Sequence, residues 1–209
     1  VQTCALPISR GKKAWRKTGR CGLDWHLEWA PWQPGLRLAI RQQQWSAATR
    51  FTARVGFPLL ILAYLARPLV DLTRSGWAKS LLGYRKWIGL GFAFSHTLHL
   101  GAIVVLLRIQ GELPAVATLV FGGLAYLLLY AMAFTSNRAA MQALGANWKR
   151  LHRFGIHYLW FIFAQSYVGR IFEPGKMEEG VLFGGIAILA ASVRFAAWLK
   201  QKRKRQPTS

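Results

Sequence analysis

Between residues 47 and 199 the chain is a succession of five apolar runs, each close to the length of one bilayer crossing, with cations gathered in the gaps. The runs cover about residues 47–72, 86–107, 114–135, 151–171 and 180–199. An α-helix rises ~1.5 Å per residue, so roughly 20 apolar residues cross the ~30 Å hydrocarbon layer. No water reaches the backbone there, and a helix lets a single run satisfy its own N–H and C=O groups. The pattern predicts an all-α fold, a polytopic membrane helix bundle with five transmembrane helices in this chain.

Charge and hydropathy would conflict in a soluble protein: the formal net charge is +21, yet 53% of residues are hydrophobic. Placement removes the conflict. Ten of the 28 Lys and Arg residues precede Val55 and six lie from Arg194 to Arg205, while tryptophans sit near the run ends, where an interfacial belt forms. Membrane lipid is the natural partner for these cations. Nucleic acid is not, because a basic nucleic-acid face needs a soluble fold to present it. The gaps before the second and fourth runs ("RKW", "NWKRLHR") and the tail "KQKRKRQ" are basic, whereas "EPGKMEEG" is acidic. Basic loops stay inside, which predicts a multi-pass membrane protein with a cytoplasmic C-terminus. Alternation then puts Arg37, Arg41, Arg50 and Arg54 outside, and a sixth helix upstream in the complete protein resolves that discrepancy.

The start of the chain reads differently. "VQTCALPI" is what a common sequencing-library adapter becomes on translation, and the first methionine is Met132. We expect residues 1–34 to be artefactual or disordered, with 1–8 the adapter-like part, residues 35–200 to form the membrane domain, and 201–209 to be a basic tail. Cys4 and Cys21 precede the runs and offer neither a disulfide framework nor a thiolate metal site. Arg67-Pro68 interrupts the first run; proline is tolerated in a membrane helix when neighbours satisfy the carbonyl it frees. Gly122-Gly123, Gly184-Gly185 and the Gly180-x-x-x-Gly184 spacing suit close helix contacts.

Four histidines lie in or at the edge of these runs: His96 and His99 in the second, His152 and His157 in the fourth. An imidazole in hydrocarbon needs a hydrogen-bond partner, a wet cavity or a metal, which makes each one a functional candidate. His96 and His99 are about 300° apart around a helix and share a face; His152 and His157 are about 140° apart. A b-type haem between helices needs neutral imidazoles from opposite sides at similar depth, with cations near its propionates. Counted from Lys86 and Arg150, His96 lies about 15 Å deep, His99 about 20 Å, His152 about 3 Å and His157 about 10 Å, so depth matches His96 with His157. Lys149, Arg150 and Arg153 are the nearby cations. The competing use of these imidazoles is interhelical hydrogen bonding.

"YRKWIGLGFAFSHTLHL", "AMAFTSN" and "LGANWKRLHRFGIHYLWFIF" resemble the ferric-reductase-like transmembrane domain, in particular the haem-binding membrane subunit of the bacterial periplasmic methionine-sulfoxide reductase system. The likeness covers most of residues 36–199, and its anchors are "TLHL" and "W-x-x-LH". It implies about six helices and assigns ligand roles to His99 and His152. In that family the second block carries a further histidine thirteen positions on, where this chain has Gln165. The ligand set therefore stays open among His99, His152, His96 and His157, in that order, with Arg150 and Arg153 as cofactor-binding cations and no catalytic residue assigned.

The resulting expectation is an integral membrane protein passing single electrons through one or two b haems. Electrons would come from a separate donor, a flavin reductase or quinol, with the quinone or flavin supplied by that partner, and would leave to a periplasmic reductase or a small acceptor. The alternative is a cofactor-free scaffold or small transporter with its histidines in interhelical hydrogen bonds.

Overall fold

The computed structural model describes residues 34–205, and the bundle proper is the compact unit that begins at Ile40. The adapter-like start, Cys4, Cys21 and the last four residues of the basic tail lie outside the described residues. Six helices follow one another: α1 Pro34–Thr73, α2 Gly76–Gln110, α3 Val116–Phe134, α4 Arg138–Leu144, α5 Ala146–Arg170 and α6 Met177–Arg205. Every regular element among the described residues is helical, and the fold is a polytopic membrane helix bundle.

Four spans are long and apolar enough to cross a membrane: Gly35–Thr73, Gly76–Gln110, Val116–Phe134 and Met177–Lys204. The remaining expected run corresponds to α5, 25 residues long. Its length suffices but its composition is more polar, with Asn147, Lys149, Arg150, His152 and Arg153 in its first two turns. The reason lies in its position. α5 touches α1 through Phe57 and Phe163, α2 through Phe92 and Phe163, and α6 through Trp160, which donates to the Ala187 carbonyl at 3.0 Å. Tyr158 donates to the Phe121 carbonyl of α3 at 3.1 Å. The cations of α5 lie in its first two turns, at the exposed basic end, while Phe154 and Phe161 stay exposed further along.

The long helices alternate in direction. α1 and α6 run side by side, with Arg54 bonded to Glu179 near one end and Lys200 donating to the Leu72 carbonyl near the other. α2 runs against α1, since Arg85 reaches Ala63 while His99 reaches Thr52. One end is therefore basic, holding Arg85, Lys149 and Lys200; the opposite end holds Glu179, whose Oε1 accepts from Arg54 Nε at 2.8 Å and Arg170 Nη1 at 2.7 Å. Rings fill the middle: Phe57 meets Tyr167 at 5.0 Å and Phe183 at 5.3 Å, both edge-on.

Of the two prolines inside α1, Pro58 and Pro68, the second is answered from another helix. Pro68 has no N–H for the Tyr64 carbonyl four residues back. Arg194 of α6 donates to that carbonyl at 2.8 Å, and its guanidinium lies 4.4 Å over the Tyr64 ring. Arg85 of α2 donates to the adjacent Ala63 carbonyl at 3.0 Å. The interrupted run stays helical to Thr73, with α6 supplying the donor that Pro68 lacks and α2 adding a bond one residue earlier.

Several boundaries differ from the apolar pattern. α2 starts at Gly76, ten residues before Lys86, because Lys and Arg propagate a helix as readily as apolar residues do. α4 has no counterpart among the apolar runs; Asn137 caps it by accepting from the Ala140 N–H at 2.8 Å. α2 stops where Gly111, at φ 70°, donates its N–H to the Leu107 carbonyl. Of the glycines expected at helix contacts, Gly180 and Gly184 abut α5 at Ile171 and Val168, whereas Gly122, Gly123 and Gly185 face open space.

Replacing Arg194 with leucine strands the Tyr64 carbonyl, which is expected to cost about 1–3 kcal/mol. Thermal unfolding in detergent should show it as a lower Tm, while Arg203→Leu, on the exposed end of α6, should change stability by no more than about 0.5 kcal/mol.

Candidate functional site

On α2, His96 is 6% exposed and its ring lies 5.3 Å from that of His99. Phe92 at 4.3 Å and Phe163 of α5 at 5.2 Å enclose the His96 ring. Its remaining wall is backbone. A Cβ on Gly56 of α1 would fall 2.3 Å from His96 Cε1 and 2.6 Å from Nδ1, so only glycine leaves room for this imidazole. His96 Nδ1 and the hydroxyl of neighbouring Tyr126 are both buried without a hydrogen-bond partner among the described residues. Sequence reading missed Gly56. Its one signal was a glycine kept inside a long helix, at about 1 kcal/mol against alanine.

His99 Nδ1 lies 2.9 Å from Thr52 Oγ1 of α1. That hydroxyl has one proton, directed to the Ala48 carbonyl at 2.8 Å or the Thr49 carbonyl at 3.1 Å. With that proton on α1, Thr52 accepts from His99, as the Thr49 carbonyl also can, which places the proton of the neutral ring on Nδ1 and leaves Nε2 its lone pair.

His152, at the start of α5, stacks on Trp148 at 4.1 Å, and its Nδ1 lies 3.1 Å from the Trp148 carbonyl. A carbonyl only accepts, so Nδ1 again carries the proton. Ser136 Oγ stands 3.5 Å from Nε2 but commits its own proton to the Met132 carbonyl at 2.6 Å. His99 and His152 thus share one tautomer, with Nε2 as the basic nitrogen. His157 takes the opposite one when the Tyr64 hydroxyl, 3.3 Å from its Nδ1, is the donor. The proton of that ring then sits on Nε2.

His152 and His157 both line a cavity of about 1220 Å³ at the basic end, formed by all five long helices. Its floor includes Leu60, Phe92, Leu129 and Met132, and its walls carry Arg67, Arg85, Lys86, Arg138, Lys149, Arg153 and Arg194 against one carboxylate, Asp71. Asp71 is already engaged by Arg67 and Gln201. An apolar floor under unneutralised cations fits a ligand with a flat hydrophobic body and acidic groups. Arg153 belongs to this wall; Arg150 lies in a smaller neighbouring pocket with Lys149 and bonds Asn147 at 3.5 Å.

The structure gathers the histidines by helix, not across helices. His96 is level with Phe163, six residues or about 9 Å above His157 along α5, so the depth match of His96 with His157 does not hold. Lys86 is a false origin for that count, because α2 begins ten residues earlier. Gln165 is exposed: position 163 shares the face of His152, and position 165 is turned about 140° away. No three His, Cys, Asp or Glu side chains gather as a bare-metal site among the described residues.

A family model described as "Ferric reductase like transmembrane component" matches residues 51–164. The protein-methionine-sulfoxide reductase heme-binding subunits MsrQ of Pectobacterium carotovorum subsp. carotovorum and Pectobacterium atrosepticum are each 35% identical to the chain over 127 residues, covering 54% of it. The chain spans 62% of the length of these curated relatives. No solved structure matches it significantly.

Gly56→Ala should force the buried His96 ring aside, at a cost of about 1–3 kcal/mol. Gly122→Ala, with open space around it, should be neutral or mildly stabilising. Paired thermal melts of the two variants check the contrast, and equal melting temperatures would remove Gly56 from the site.

Proposed function

The chain belongs to the ferric reductase like transmembrane component family, and on that premise we propose that it holds b-type haem with histidines of α2 and α5 and passes single electrons across the membrane. The MsrQ relatives carry haem binding in their names, and the donor set of this chain fits that group. One observation carries the reading: His99 and His152, on two helices, both keep their neutral proton on Nδ1 and leave Nε2 free to ligate. These are also the two positions that the family resemblance selects.

Haem, when bound, supplies reversible one-electron chemistry at iron. The chain supplies the rest. His99 and His152 would hold iron at two levels, since Phe163, level with His96, stands eleven residues or about 16 Å above His152. His96 packs beside the upper one. His157, with its proton on Nε2, would donate a hydrogen bond to an acidic group in the cavity, and Arg153, Arg85 and Arg194 would neutralise propionates there. Arg150 serves the adjoining surface and anionic lipid.

The basic end faces the cytoplasm of a bacterial inner membrane, with the C-terminus on that side. A separate donor, flavin reductase or quinol, delivers electrons there, and a periplasmic reductase subunit receives them opposite. The Tyr64–His157 bond is what a cofactor-free scaffold would also use to tie α1 to α5, so the spectrum decides between the two.

Protein purified in detergent from haem-replete cells should show a Soret band with dithionite-dependent α and β bands. His99→Ala and His152→Ala should each lower haem per protein at least severalfold, and His157→Gln should retain it. Colourless wild-type protein would favour the scaffold.

A further inference from the structure

We infer that Thr52, on a helix that contributes no histidine, is a positioning residue that sets the basicity of the His99 imidazole as an iron ligand; this rests on the haem reading above. The reason is one of proton counting. Thr52 Oγ1 has two α1 carbonyls for its single proton, Ala48 at 2.8 Å and Thr49 at 3.1 Å. What remains to it is acceptance, and the donor that reaches it is His99 Nδ1 at 2.9 Å, 47 residues away. An acceptor on the distal N–H fixes the ring's tautomer and orientation and pushes electron density toward the ligating nitrogen. A more basic imidazole stabilises ferric over ferrous iron, so Thr52 lowers the potential of the haem that His99 holds.

Two further features make the contact a built one. Thr52 lies one turn from Gly56, where the missing Cβ admits His96, so adjacent positions of one α1 ridge receive both α2 imidazoles. Thr49, one turn before, spends its hydroxyl on the Trp45 and Ser46 carbonyls, and only its backbone carbonyl faces His99, which a side-chain change leaves in place. It is the internal control.

The test uses the full chain with haem bound, reading haem content, midpoint potential and the low-spin ferric EPR spectrum. Thr52→Val keeps the shape and removes the acceptor. It should retain haem while raising one midpoint by an amount corresponding to roughly a tenfold shift in the ferric–ferrous balance, ~59 mV, with altered g values. Thr52→Ser should restore the wild-type potential, and Thr49→Val should leave it unchanged. If Thr52→Val gives too little folded protein, Thr52→Ala makes the same comparison with Thr52→Ser. A wild-type potential and EPR spectrum in the valine or alanine variant overturns the role of Thr52 while leaving the haem reading intact. Absence of haem from wild-type protein overturns both.

Discussion

A backbone carbonyl freed by proline inside hydrocarbon must be met by another part of the protein, and the bond from Arg194 to the Tyr64 carbonyl is where this bundle meets that demand. Much of the arrangement follows from it. The guanidinium draws α6 onto α1 and lies over the Tyr64 ring, so Tyr64 is held from two sides. Its hydroxyl is thereby fixed toward His157 of α5, and Arg85 brings α2 to the neighbouring carbonyl. One missing N–H at Pro68 is in this way connected to three helices and to one wall of the cavity. Charge inside the membrane is costly, and Arg194 donates to a carbonyl that would otherwise be stranded.

The sequence made the helices legible because hydrocarbon imposes a length and an apolarity that few other environments require. It made the repair at Pro68 legible in principle, since the freed carbonyl must be satisfied, but not the identity of Arg194, 130 residues away. The rule worked less well for α5, which reads as a span by length and falls short in apolarity because its first two turns carry cations of the basic end. Depth was the weakest inference. Counting from Lys86 assumes that the first cation marks the helix start, and α2 continues through Arg85 and Lys79 back to Gly76.

The histidines were legible as candidates because their cost in an apolar run is high. What each one does was not, because a tautomer is set by the partner of the other ring nitrogen. For His152 that partner is local, the Trp148 carbonyl one turn back, and helix periodicity contains the information. For His99 and His157 it comes from α1, and no spacing rule links Thr52 to His99 or Tyr64 to His157. The four imidazoles look alike in sequence and divide into different kinds in the fold.

α1 therefore matters to the site as much as the histidine-bearing helices do. Thr52, Gly56, Leu60 and Tyr64 follow one another at intervals of four and form a single ridge. Thr52 accepts from His99, Gly56 makes room for His96, Leu60 is fully buried beneath them, and Tyr64 bonds His157. The ridge spans twelve residues, about 18 Å of helix, which is comparable to the separation of the two histidine levels. Helix contacts along such a ridge are made together, since a rigid helix cannot move one turn without its neighbours. A shift of α1 is thus transmitted to three imidazoles at once, so a helix with no histidine among its described residues positions those of two others.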